Sequence, residues 1–177
     1  MLLIRHGQSH FNKHFSATRV DPGIVDPRLT AAGRGQAAAA AERLLAEGHR
    51  VTRLMSSPYW RALETAEILA EALGLEIEVE RLVGERAFFV CDIGSPRRDL
   101  EVRFPRARFA DLPDRWWPHP DESERELRAR CARFRLEAAG RPDWPQTLVV
   151  SHWGFIRGLT GRSVENATLL RHDPTVA

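Results

Sequence analysis

Residues 1–12 read MLLIRHGQSHFN. Three apolar residues, Leu2, Leu3 and Ile4, run directly into Arg5, His6 and Gly7. A short apolar run closed by polar residues and a glycine reads as a buried strand that ends where its side chains leave the core. In an open parallel sheet, residues just past a strand's carboxyl end face the crevice where ligands bind. Taken alone, His6 is open to four readings there: a nucleophile, an acid–base group, a metal ligand or a polar loop residue.

Outward from this stretch the chain alternates. Further apolar runs at 51–55, 75–79 and 147–150 read as strands. Between the first two strands, LTAAGRGQAAAAAERLLAEG is a strong helix former, with Thr30 placed as its N-cap and Gly48 at its end. Between the second and third, SPYWRALETAEILAEALG carries Pro58 in the first turn, apolar residues at Ala62, Ala66, Leu69 and Leu73, and Gly74 as terminator. Strand, helix, strand, helix, strand is the pattern of a parallel sheet covered by helices. From Glu85 to Pro120 the rhythm breaks into a segment rich in aromatics, arginine and proline, read as an insertion of turns and a short helix near the strand ends. A helix over about 122–138 and the loop GRPDWP then lead to the last strand.

Composition narrows the class. A chain of 177 residues suits one domain with a real core. Its 43% hydrophobic and 28% charged residues are those of an ordinary globular protein. No apolar run approaches the roughly 20 residues of a membrane span, and with a strand expected directly after Met1 no signal peptide is expected. Cys91 and Cys131 form no CxxC pair, so reduced thiols and a cytoplasmic location are expected. Lys13 is the sole lysine and arginine carries the rest of the positive charge, yet acidic residues are interspersed and the net charge is only +2. No basic stripe marks a nucleic-acid partner.

Four polar groups fall just beyond the strands: Arg5 and His6; Ser56 and Ser57, with Arg61 one helical turn on; Glu85; and Ser151 with His152. Two imidazoles, two guanidinium groups and a carboxyl form a set suited to nucleophilic displacement at an anionic group. Guanidinium groups bind the oxyanion, an imidazole attacks, and an acid protonates the leaving group.

LLIRHGQSHFN, LTAAGRGQA, SSPYWRALETA, RLVGE and VVSHWGFIRGL occur in the order of the histidine phosphatase superfamily, also called phosphoglycerate mutase-like, and the chain resembles that family from residue 2 to about 160. The resemblance implies a three-layer α/β/α sandwich with a mostly parallel central sheet and a short inserted cap at about 86–121, all in one domain. It also implies that His6 becomes phosphohistidine, that Arg5 and Arg61 clamp the phosphoryl oxygens, and that His152 contacts the same group. Gly7, Ser9, Asn12 and Trp153 fall at substrate-binding positions. Glu85 resembles the proton donor of the branch that keeps its acid after the third strand; the other branch has an aspartate where this chain has Trp153.

The resemblance implies no metal and no cofactor, and a small-molecule or protein phosphomonoester as substrate. Glu64, Asp92 and Asp121 are rival carboxylates to Glu85, and Glu64 stands near enough in sequence to pair with Arg61 at the helix surface. Trp153 replaces a usual glycine and is expected to narrow the pocket beside His152. The short insertion favours hydrolysis over a phosphoglycerate-type mutase, with a non-catalytic phosphate-binding module as the third reading. For the leaving group two opposite readings stand: the arginines at 97, 98, 103, 106 and 108 favouring anions, or Phe88, Trp116 and Trp117 lining an apolar pocket.

Overall fold

The computed structural model describes residues 1–119 and 121–176. Pro120, inside the expected insertion, and Ala177 lie outside them. Six strands form one sheet: β1 (Leu2–Arg5), β2 (Arg53–Ser56), β3 (Ile77–Val79), β4 (Ala107–Arg108), β5 (Thr147–Ser151) and β6 (Leu169–Arg171). Their order is β4-β3-β2-β5-β1-β6, with β6 antiparallel to β1 and every other pairing parallel.

Strand alternation sorts the core into two halves. Leu2, Ile4, Leu54, Leu148 and Val150 point to one face, where they meet α2 (Ala31–Ala46), α3 (Trp60–Leu73) and α4 (Arg97–Arg103). Leu3, Met55 and Val149 point to the other, against α5 (Glu124–Ala139) and α6 (Trp153–Thr160). Continuous apolar runs, rather than alternating ones, are what a sheet covered on both faces requires. The architecture is thus the expected three-layer sandwich. On the first face the small side chains Ala40 and Ala41 let α2 seat closely; on the second, Phe134 and Phe155 meet edge to face at 5.5 Å.

Capping largely follows the sequence reading, except that Pro58 precedes the Tyr59 cap of α3 instead of lying in its first turn. Thr30 Oγ1 accepts from the Gly33 N–H at the start of α2, and Gly74 ends α3 at φ +67°. Three elements depart from it. Residues 10–18, given no element from the sequence, form helix α1 (His10–Thr18), opened by a capping box between Ser9 and Asn12. The segment 86–121 contributes β4, which extends the sheet beside β3, as well as α4 and a 3-10 turn at Val90–Asp92. The chain also returns after α6 to add β6 at the opposite edge. Among the described residues, no helix is long and apolar enough to cross a membrane.

Candidate active site

The three central neighbours β2, β5 and β1 end together, and each delivers polar side chains to the same edge. Arg5 lies in register with Ser151, and Ser56 with Val150. Beyond them the chain opens a cleft of about 650 Å³. Arg5, His6, Asn12, Arg61, Glu85 and Trp153 are among its lining residues.

His6 is 2% exposed. Its backbone N–H donates to Ser151 O at 2.9 Å, which splices it to β5. The ring Nδ1 stands 2.7 Å from the Gly7 carbonyl. A carbonyl only accepts, so Nδ1 carries the proton and Nε2 carries the lone pair. Burial, then the charges of Arg61 and Arg5, push the His6 pKa well below 6.5, keeping the imidazole neutral. A neutral imidazole with a fixed tautomer and a free Nε2 is equipped to attack phosphorus.

The two guanidinium groups are held differently. Arg5 Nη1 donates to Val164 O at 3.0 Å, while its buried Nε meets no partner among the described residues. Arg61, 3% exposed on the first turn of α3, donates to Cys91 O at 2.9 Å and to Asp92 Oδ1 at 3.0 Å. Asp92, one of the rival carboxylates, is thereby a buried ion-pair partner of Arg61. Its second oxygen accepts the N–H groups of Phe88 and Phe89 at 3.1 and 3.0 Å. Glu64 does not pair with Arg61 at the surface. It is 3% exposed, takes Arg34 at 2.8 Å and accepts from Leu29 N at 2.7 Å, because α3 turns that face inward against the start of α2.

His152, fully buried, packs edge-on against His6 with ring centroids 5.0 Å apart. Its Nε2 is 2.7 Å from Ser57 Oγ, and its Nδ1 has no partner among the described residues. Burial, Arg61 and His6 lower its pKa well below 6.5. When the Ser57 hydroxyl donates to Nε2, Nδ1 bears the hydrogen and offers a donor to an oxyanion.

Glu85 follows β3 and the 3-10 turn Arg81–Val83. Its Oε1 accepts from Arg86 N and Gly154 N, both at 2.9 Å. Burial, with Asp92 next, raises its pKa above the ordinary carboxyl value, against the opposing pull of Arg61 and Arg5. Gly154 went unnoticed in the sequence reading. A Cβ there would lie 2.4 Å from Glu85 Oε1, so only glycine admits this contact without displacement.

The remaining sequence candidates divide. Asn12 lines the cleft, and its Oδ1 already accepts from Ser9 N and Ser9 Oγ at 3.0 Å and from Asn166 Nδ2 at 3.3 Å. With Oδ1 so occupied, the amide NH₂ is its remaining donor. Gly7 and Ser9 stand behind the lining. The Gly7 N–H donates to Thr65 Oγ1 at 3.1 Å, and Ser9 caps α1. Trp153, 40% exposed at the start of α6, forms part of the rim. The arginines of the insertion are mostly paired at the surface: Arg97 with Glu101, Arg98 with Asp114, Arg103 with Glu67 and Arg108 with Glu76. Trp116 and Trp117 line a neighbouring cavity beside Tyr59 that shares Glu85 with the cleft, and of that aromatic set Phe88 lines the cleft itself. Among the described residues, no group of three or more His, Cys, Asp or Glu side chains is placed to hold a metal ion.

A buried neutral imidazole set among guanidinium groups, at the carboxyl edge of a parallel sheet, defines an α/β enzyme of phosphoryl chemistry. The family model described as histidine phosphatase superfamily (branch 1) matches residues 1–175, and the chain belongs to that superfamily. It is 30% identical over 174 residues to phosphoglycerate mutase-like protein 4 of Arabidopsis thaliana, covering 94% of this chain and 72% of that protein. A putative phosphoserine phosphatase 2 of Hydrogenobacter thermophilus is 28% identical, covering 98% and 84%. Among solved structures, the mycobacterial glucosyl-3-phosphoglycerate phosphatase in complex with VO3 superposes with a TM-score of 0.66 at 26% identity, covering 96% of this chain and 88% of that one.

Proposed function

We propose that this protein hydrolyses phosphomonoesters through a phosphohistidine on His6, with Glu85 as acid and then base, without metal or cofactor. The observation that carries the reading is the 2.7 Å contact of His6 Nδ1 with the Gly7 carbonyl, which places the lone pair on Nε2, an atom with no hydrogen-bond partner among the described residues, in the cleft that Arg5 and Arg61 also line. In the first step Nε2 attacks phosphorus in line. The P–O bond to the leaving group breaks, and the Glu85 proton passes to the departing oxygen. Arg5 and Arg61, with donors from Asn12 and His152, stabilise the charge spread over the equatorial oxygens. In the second step the Glu85 carboxylate takes a proton from water, whose oxygen attacks phosphorus as the P–N bond breaks. Phosphate leaves, and both His6 and the Glu85 proton are restored.

The raised Glu85 pKa suits this double duty, because the acid must hold its proton before the first step and surrender it during that step. The chain is read as one histidine phosphatase domain, and of the segment 86–121 it is the stretch Arg86–Asp92 that borders the cleft, while β4 and α4 join the sheet and its core. Release of phosphate from an aryl phosphate in EDTA tests the proposal. Wild type is expected to be active, His6→Ala inactive and Glu85→Ala strongly impaired. Activity that needs added metal, or that survives His6→Ala, contradicts it.

A further inference from the structure

The cleft is far larger than a phosphoryl group, and its outer wall is aromatic. Its volume lies within the roughly 300–1,000 Å³ of pockets that hold small organic ligands. Phe11, Phe15, Phe88, Phe89 and Trp153 all line it. The four phenyl rings form one connected cluster: Phe11 stacks on Phe15 at 5.2 Å, Phe89 touches both at 5.3 and 5.1 Å, and Phe88 meets Phe89 at 5.0 Å. Phe88 is 59% exposed, so water rather than core covers its outer side. Large apolar side chains held at the mouth of a polar site form a wall for an apolar group.

This wall is anchored to the phosphoryl clamp. One Asp92 oxygen holds Arg61 while the other holds the N–H groups of Phe88 and Phe89. A group esterified to a phosphate bound at Arg61 would therefore meet these rings at a fixed offset. The rim is poor in free charge for a second anion. Arg86 is spent on Glu124 and on the Glu122 carbonyl, leaving Arg19, which has no carboxylate partner among the described residues, and the exposed anion Glu165.

We infer that Phe88, Phe89, Phe15 and Trp153 form the leaving-group subsite, and that the substrates are phosphomonoesters of alcohols bearing a planar apolar group, rather than small carboxylated phosphates. The inference rests on the reading of His6 as nucleophile. The test compares 3-phenylpropyl phosphate, propyl phosphate and 3-phosphoglycerate, all with alkyl leaving oxygens, in wild type, Phe88→Ala and Trp153→Ala. A phenyl ring on such a wall is expected to raise kcat/KM at least about tenfold over propyl phosphate. Each variant is expected to narrow that ratio severalfold; the two side chains are exposed enough that loss of folding is not the expected result. Equal turnover of phenylpropyl and propyl phosphate, or a preference for 3-phosphoglycerate, overturns the inference while leaving the hydrolase reading intact. If no phosphate is released from any ester, the hydrolase reading fails. Calorimetric binding of 3-phenylpropylphosphonate against propylphosphonate then decides the subsite: tighter binding of the former supports it and equal affinity overturns it.

Discussion

The N–H of Gly154 donates to Glu85 Oε1 at 2.9 Å, and a Cβ on residue 154 would lie 2.4 Å from that same oxygen. The first turn of α6 thus presses its backbone against the carboxyl group and fixes one oxygen, while Oε2 has no hydrogen-bond partner among the described residues.

Gly154→Ala is accordingly expected to lower kcat on the order of 10²-fold by displacing Glu85. Alanine is the better helix former, so thermal stability should shift by no more than about 1 kcal/mol. Steady-state kinetics and thermal unfolding measured together separate the two effects. Full activity in this variant would show that the contact does not position the acid.

Removing the Glu85 proton should cost most where the leaving group needs it most. Glu85→Gln is expected to lose about 10²–10⁴ in kcat/KM with alkyl phosphates and less with 4-nitrophenyl phosphate. The ratio of wild-type to variant kcat/KM cancels the substrate's own ionisation. Glu85 donates only when protonated, and burial raises its pKa, so this ratio should fall as pH rises through a value above the ordinary carboxyl range. A ratio constant between about pH 5 and about pH 8 would remove Glu85 from the role of acid.

Asp92 joins Arg61 to the backbone of Phe88 and Phe89, so it should influence substrate affinity as well as stability. Asp92→Ala leaves a buried guanidinium without its carboxylate and two N–H groups unpaired. A loss of about 3–5 kcal/mol is expected in denaturant unfolding. Asp92→Asn keeps the shape and one acceptor, and is expected to fold with a raised KM. An unchanged KM for a bulky aryl phosphate in Asp92→Asn would separate the loop from the clamp.

His6 and His152 both have folded pKa values well below 6.5. As pH falls below about 6.5 the unfolded chain gains protons that the folded imidazoles refuse, so stability drops by up to roughly 1.4 kcal/mol per pH unit per histidine. The raised pKa values of Asp26 and Glu85 act in the opposite sense, favouring the folded state as pH falls. A comparison with His6→Asn isolates the imidazole: its unfolding free energy should change less between about pH 7 and about pH 5.5 than that of wild type. Parallel curves would contradict a neutral buried His6.

The strands that aim the site were legible because a sheet covered on both faces demands uninterrupted apolar runs, as at Leu2–Ile4 and Leu148–Val150. Arg5, His6, Arg61 and His152 were legible as polar residues at the ends of those runs or one turn beyond. Helix α1 was not, because His10–Thr18 has only Phe11 buried and rests on the Ser9–Asn12 capping box. Strands β4 and β6 are two and three residues long, too short for any periodicity. Asp92 and Gly154 act through contacts across 31 and 69 residues of chain, which no local pattern records. Glu64 misled because its sequence distance from Arg61 says nothing of which face α3 buries.

The most direct test of the central claim is to mix enzyme with an aryl phosphate, quench in alkali, where phosphohistidine survives, and map the modified peptide by mass spectrometry. One phosphoryl group on His6, enriched in Glu85→Gln and chased to free phosphate in wild type, is the expected result. Phosphate release with no phosphoryl group on His6, or with the label on another residue, would contradict the account.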